Sequence, residues 1–244
     1  MAGIIELRNV SFSAQDRKVA GDISFEFETG KTTALVGPSG GGKSTVLKLA
    51  AGLLVPDEGE ILFNGKNIAQ MTRAENLEFR RTGGVVFQDS ALWANQNLFQ
   101  ILELPLRIHF PSMSKKQREQ RIESVAAEVG YRKDLGIRPA RLSMGEQKLI
   151  AFARALLCDP SLLFLDEWVE SLDENAAGRL IGLVRRRKSG GATIIMVSHD
   201  MRIVKDLADI VVMIVDGRIF QKITKEQIAE DDDIRRYVEM GMAS

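Results

Sequence analysis

The chain has 244 residues, 45 % of them hydrophobic and 27 % charged, which suits one large core with a small satellite rather than several independent domains. Its 33 basic and 33 acidic residues balance, which argues against a nucleic-acid binder driven by bulk charge, and its single cysteine, Cys158, excludes an internal disulfide and fits a reducing compartment. The opening MAGIIELRNV lacks a basic stretch followed by a long apolar one, and no apolar run approaches the ~20 residues of a membrane span, so no leader is expected and any membrane role would come through a partner.

In chain order, NVSFS alternates as a strand with Phe12 toward a core. TTALVG predicts a strand and KSTVLKLAAGLL a helix with Val46, Leu49, Ala50 and Leu53 on its apolar side. EILFNGKNI predicts a hairpin turning at Asn64-Gly65, and GGVVFQ another strand. From about residue 89 to about residue 140 strand signals stop. There KKQREQRIESVAAEV places Ile122, Val125, Ala126 and Val129 on one helical face, so a helical subdomain inserted in the core is expected. LSMGEQKLIAFARALL predicts a helix, and PSLLFLDE and ATIIMVSH are continuous apolar strands of the kind buried on both faces. NAAGRLIGLVRRRKSGG predicts a helix closed by glycine, and DIVVMIVDGRIF a hairpin at Asp216-Gly217. The charged end from about residue 224, through AEDDDIRRYVEMGMAS, is expected to be a tail, an arm or a short helix. This alternation implies one α/β domain over residues 1–244 with a mainly parallel sheet.

Between the first buried strand and its helix lies Gly37-x4-Gly42-Lys43-Ser44, the P-loop pattern. Consecutive backbone N–H groups must curl round a polyphosphate, and side chains at the close-approach positions would block them. Gly37, Pro38, Ser39, Gly40, Gly41, Gly42, Lys43, Ser44 and Thr45 are therefore the expected cradle. Lys43 would reach the β- and γ-phosphates, Ser44 would hold Mg²⁺, and the helix would aim its positive end at them. The bland alternative is a plain glycine turn. LLFLDE sets Asp166 and Glu167 at the end of a buried strand, where open α/β sheets place their ligand sites. Asp166 can hold Mg²⁺, and Glu167 can orient or deprotonate an attacking water. The alternative for this pair is a helix N-cap.

Four further pieces follow in a fixed order: Gln88 at the end of VVFQ, LSMGEQ from Leu142 to Gln147, ESLD from Glu170 to Asp173, and His199 at the end of IIMVSH. With the P-loop they resemble the nucleotide-binding domain of the ABC-type ATPases over nearly the whole chain. The resemblance implies a P-loop NTPase core, an antiparallel β part at the N-terminus and the inserted helical subdomain. It implies ATP and Mg²⁺ as cofactors, with Ser44, Gln88 and Asp166 around the metal and Glu167, His199 and Gln88 as the catalytic set. It also implies a head-to-tail dimer in which Ser143, Gly145, Glu146 and Asp173 act across the interface, with Ser143 and Gly145 toward the partner's γ-phosphate. Closure would then depend on the γ-phosphate.

Three positions depart from that family's pattern. Met144 stands for the usual first glycine of the signature, and Trp168 for the usual proline after the carboxylates. Ala14 stands for the aromatic that stacks on adenine, with Phe12 or another ring as a substitute. The set Lys43, Ser44, Gln88, Asp166, Glu167 and His199 is complete, so an active ATPase is expected.

The stretch FQDSALWANQNLFQILELPLR and the ending DDDIRRYVEMG resemble the Mla/Mce-type phospholipid-transport ATPases, whose tail reaches a neighbouring ATPase. This implies a subunit peripheral to the cytoplasmic face of a bacterial inner membrane. Its partners would be a multi-spanning permease, a second copy of itself or a related ATPase, and other lipid-transport subunits, with no nucleic acid. KKQREQR could touch a permease or lipid head groups, or be a solvated helix face. A soluble ATPase of an assembly machine, of the iron–sulfur scaffold type, is the alternative, since that family also tolerates a non-proline after the carboxylates and a glutamate in the signature. A cell-division or DNA-repair module is a third; repair enzymes generally need coiled coils or zinc modules, and one cysteine with two histidines cannot build the latter.

Overall fold

The computed structural model describes residues 3–230. The chain opens with two long antiparallel strands, β1 (Gly3–Ala14) and β2 (Arg17–Glu28), joined by the left-handed pair Gln15 and Asp16. β3 (Thr32–Val36) leads through the glycine-rich loop into α1 (Lys43–Ala50). That helix stops sooner than the apolar spacing predicts. Gly52, at φ 61°, turns the chain, and Leu53 lies at the surface instead of on the helix face. β4 (Glu58–Phe63) and β5 (Lys66–Asn67) form the expected hairpin, with φ positive at both Asn64 and Gly65.

α2 (Arg73–Thr82) runs directly into β6 (Gly83–Val86). It buries only Phe79, so it carries no apolar stripe that sequence periodicity could reveal. Between residues 89 and 140 the regular elements are helical: α3 (Leu98–His109), α4 (Lys115–Val129) and a single 3₁₀ turn. α4 buries the four residues expected of it, Ile122, Val125, Ala126 and Val129. Then come α5 (Met144–Leu156), β7 (Leu162–Asp166), α6 (Glu174–Ser189), β8 (Thr193–Val197), the short α7 (Met201–Leu207), the hairpin β9 (Ile210–Val215) and β10 (Arg218–Thr224), and α8 (Lys225–Glu230). Beyond α8, the expected tail lies outside the described residues.

Two sheets result. The smaller is antiparallel, in the order β2-β1-β4-β5, which is the N-terminal β part. The larger has the order β10-β9-β3-β8-β7-β6, parallel throughout except for β10. Every residue of β3, β7 and β8 is buried, because helices and the second sheet cover both faces. One apolar cluster joins the large sheet to α3–α6; the other fills the space between α1 and the two sheets. Since β3, β6, β7 and β8 run parallel, their carboxyl ends share one edge, and the loops leaving that edge carry the P-loop, Gln88, Glu167 and His199.

Candidate active site

The P-loop is shaped by contacts that admit no side chain. Gly37 has φ 136°, and a Cβ there would lie 2.1 Å from the Ile214 carbonyl oxygen; at Gly42, φ is 98° and a Cβ would lie 2.6 Å from the Val19 carbonyl oxygen. Gly42 is also the N-cap of α1, and no side chain caps that end. The first-turn amides of α1 thus face the loop with their partial positive charge uncompensated, as anion binding requires. Lys43 Nζ is folded back onto the loop, donating to the carbonyl oxygens of Gly37 and Pro38 at 2.8 Å each. Burial lowers its pKa, an effect opposed by the charges of Glu167 and Asp166.

Ser44 Oγ donates to Asp166 Oδ1 at 2.8 Å, joining the start of α1 to the end of β7. Neither carboxylate of the Asp166–Glu167 pair caps a helix; α6 is capped by Asp173, whose side chain accepts from Ala176 N at 2.9 Å. Gln88 stands two residues past the end of β6, and its Nε2 donates to Glu170 Oε2 at 3.0 Å. Of the three expected metal ligands, the fold therefore brings Ser44 and Asp166 together and turns the amide nitrogen of Gln88 to Glu170. A hydroxyl and a carboxylate in hydrogen-bond contact are hard oxygen donors suited to Mg²⁺, which takes few protein ligands and completes its shell from phosphate and water.

Glu167 follows β7 in a left-handed conformation, φ 43°, with its N–H on Val197 O at 3.2 Å. Burial, reinforced by the charge of Asp166, raises its carboxyl pKa to about 7, while burial also raises that of Asp166. His199 Nε2 is 3.0 Å from Glu167 Oε1. Yet that oxygen has no aligned hydrogen bond, so the approach is short and badly angled. Burial, then the charge of Lys43, lowers the His199 pKa, which favours the neutral imidazole. Residues 39–45, Gln88, Glu167 and His199 line one cleft of about 300 Å³, together with Val19 and Val197.

Ser143, Gly145, Glu146 and Asp173 do not line that cleft. Ser143 is the N-cap of α5 and forms a reciprocal capping box with Glu146, which also pairs with Lys133 at 2.6 Å. In that box the Ser143 oxygen accepts, so its own proton remains available to donate. Gly145 lies against the Ser171 carbonyl, tying the tip of α5 to the ESLD segment.

Three contributors had no role in the sequence reading. Lys148, buried on α5, donates to the carbonyl oxygens of Phe87, Gln88 and Glu167. Arg154, two turns on, donates to those of Ser90 and Ala91, which sit in left-handed conformations. These two cations hold the segment that carries Gln88. Their signal was a lysine and an arginine inside an otherwise apolar helix. Trp168, in place of proline, is fully buried with its ring centroid 5.7 Å from that of Phe152 on α5, and its Nε1 has no hydrogen-bond partner.

A family model described as ABC transporter matches residues 20–170. The chain is 34 % identical over 233 residues to the intermembrane phospholipid transport system ATP-binding protein MlaF of Haemophilus influenzae, covering 95 % of this chain and 88 % of that protein. It is 34 % identical over 236 residues to MlaF of Escherichia coli, covering 96 % and 87 %. Among solved structures, an ATP-binding subunit of an ABC transporter superposes with a TM-score of 0.83 at 25 % identity, covering 99 % of this chain and all of that one. The dimeric structure of a bacterial ABC transporter cassette gives 0.82 at 25 % identity, covering 91 % and 98 %.

Proposed function

The chain belongs to the ABC transporter family and is an ATP-hydrolysing subunit of it; on that footing we propose that it powers a bacterial phospholipid transporter from the cytoplasmic face of the inner membrane. The observation that supports the lipid cargo is similarity over almost the full length to two phospholipid-transport ATPases. The same similarity favours this reading over an assembly-machine ATPase.

In the proposed mechanism the α1 amides and Lys43 grip the triphosphate. Ser44 and Asp166 would hold Mg²⁺, which would neutralise phosphate charge. Glu167 takes a proton from the attacking water, whose oxygen bonds to the γ-phosphorus while the bond to the β–γ bridging oxygen breaks and ADP leaves with the electron pair. His199 orients Glu167 and the water, and Gln88 relays the state of the site to the helices of residues 89–140, which act as an inserted subdomain. Ser143, Gly145, Glu146 and Asp173 belong to the cleft of a second ATPase subunit, a reading supported by their exclusion from their own chain's cleft. Removing the γ-phosphate then removes the link between the two subunits.

Among the described residues no helix is long and apolar enough to cross a membrane, so the membrane-spanning part falls to a permease. Leu53, Trp93 and Ile108 are each exposed along one groove of about 430 Å³ beside the Gln88 segment, with the Arg154 guanidinium 5.8 Å from the Trp93 ring centre. We assign this groove to the permease, because an apolar patch bordering the segment that carries Gln88 places a partner in contact with the state of the site. Affinity purification from native membranes in mild detergent tests the proposal. A multi-spanning protein and phospholipid should accompany the parent chain and be lost with Trp93→Ala; a purified complex containing soluble scaffold proteins and no permease would overturn it.

A further inference from the structure

The P-loop cleft accounts for a triphosphate and leaves the nucleotide's base without a partner. Ala14 stands where a stacking ring is expected, and Phe12 does not replace it. The Phe12 ring is partly buried and packs on the core cluster that contains Ala20 and the apolar side of α1.

The β1–β2 register brings another flat group to the same place. Phe12 pairs with Ala20, and Ala14 with Arg17; the irregularity between them adds Val19 to β2 and leaves the alternation of β1 in place. Residues 12 and 14 therefore share a face, and a cross-strand pair shares its face. Ala14 and Arg17 continue the side of the hairpin that, at Ala20, packs toward α1.

That hairpin is anchored to the phosphate loop. Val19 lines the cleft, and Gly42 admits no side chain because the Val19 carbonyl is there. Gly21 N donates to Gly217 O at 2.8 Å, and Gly217 N to Gly41 O at 2.9 Å. Arg17 lies two residues beyond Val19, about 7 Å along the strand, comparable to the reach from a nucleotide's α-phosphate to its base. Arg17 is exposed, and its side chain makes no hydrogen bond or ion pair with another described residue.

We propose that Arg17 is the base-binding residue of this site: its guanidinium plane stacks on the adenine of bound ATP in the space that Ala14 leaves open. Guanidinium stacks on aromatic faces through both its plane and its charge. Such a contact reads the face of a purine and not its edge, so GTP is held alike.

The inference rests on the ATP-site reading, and the test separates the two. In a Glu167→Gln background, which blocks hydrolysis, the dissociation constants of ATP and of inorganic tripolyphosphate are measured with magnesium. Arg17→Ala should weaken ATP about five-fold, the size of a lost base-stacking contact, and leave tripolyphosphate and the melting temperature unchanged. Arg17→Tyr should restore ATP affinity. An Arg17→Ala chain that binds ATP as the parent does, or that loses ATP and tripolyphosphate equally, overturns the assignment. Lys43→Ala serves as the control: retained binding of both ligands there would sink the ATP-site reading itself.

Discussion

Glu167 Oε1 stands 3.0 Å from His199 Nε2 and still lacks an aligned hydrogen bond. The carboxylate is buried beside Asp166, and its pKa is raised to about 7. A base must be deprotonated to accept the water's proton, so kcat/KM for ATP should rise with pH through about 7. Glu167→Gln should abolish that limb and cut hydrolysis by roughly 10²- to 10⁴-fold while ATP still binds. A pH–rate profile on parent and variant checks both points; a flat parental profile from pH 6 to pH 8 would remove Glu167 from the role of base.

The same raised pKa makes a stability prediction of opposite sign. A carboxyl whose folded pKa lies above its unfolded value favours the folded state at low pH, and the benefit is lost as pH rises through the folded value, here about 7. Glu167→Gln should therefore melt above the parent at pH 8, with the difference shrinking toward pH 5. Thermal melts across that range decide it.

Lys148 is a buried cation whose ammonium faces backbone carbonyls of Phe87, Gln88 and Glu167. Lys148→Met keeps the aliphatic stem and strips those carbonyls of their donor. It should cost about 1–3 kcal/mol in urea unfolding. Because Gln88 is then no longer held, kcat should fall by roughly ten- to a hundred-fold. Full activity in a folded Lys148→Met chain would show that the ammonium does not position the Gln88 segment.

Trp168, in the turn that follows β7, packs against Phe152 of α5, with its indole N–H unpaired. Trp168→Phe keeps a ring against Phe152 and removes the orphan donor, so stability should hold or rise slightly. Trp168→Ala should cost about 3–5 kcal/mol. Denaturant melts of the two variants separate the ring's packing from its polar atom.

The contiguous features were legible before any coordinates. Gly37 to Gly42 form the loop and Lys43 to Thr45 open α1, the Asn64-Gly65 and Asp216-Gly217 turns lie where the dipeptides indicate, and β3, β7 and β8 are the continuous apolar runs. α2 was not legible, since it buries only Phe79 and so sets no period, and α7 was not because its seven residues, though they bury Ile203, Val204 and Leu207, span barely two turns. Nor was the early end of α1, because Leu53 continues the apolar spacing past the turn at Gly52.

The sequence by itself determined the chemical inventory on which the proposed mechanism draws: amides and a lysine proposed for phosphate, a hydroxyl and a carboxylate proposed for a hard cation, and a second carboxylate proposed for water. These are local, since each motif is a few adjacent residues whose job follows from their order. Tertiary structure alone decided that Ser44 meets Asp166 across the domain, that Glu167 is desolvated enough to serve as a base near neutral pH, that Lys148 turns inward, and that Arg17 pairs across the hairpin with Ala14. Each of these depends on strand register, sheet order and burial, which arise from packing between distant segments and leave no mark in a short window of residues.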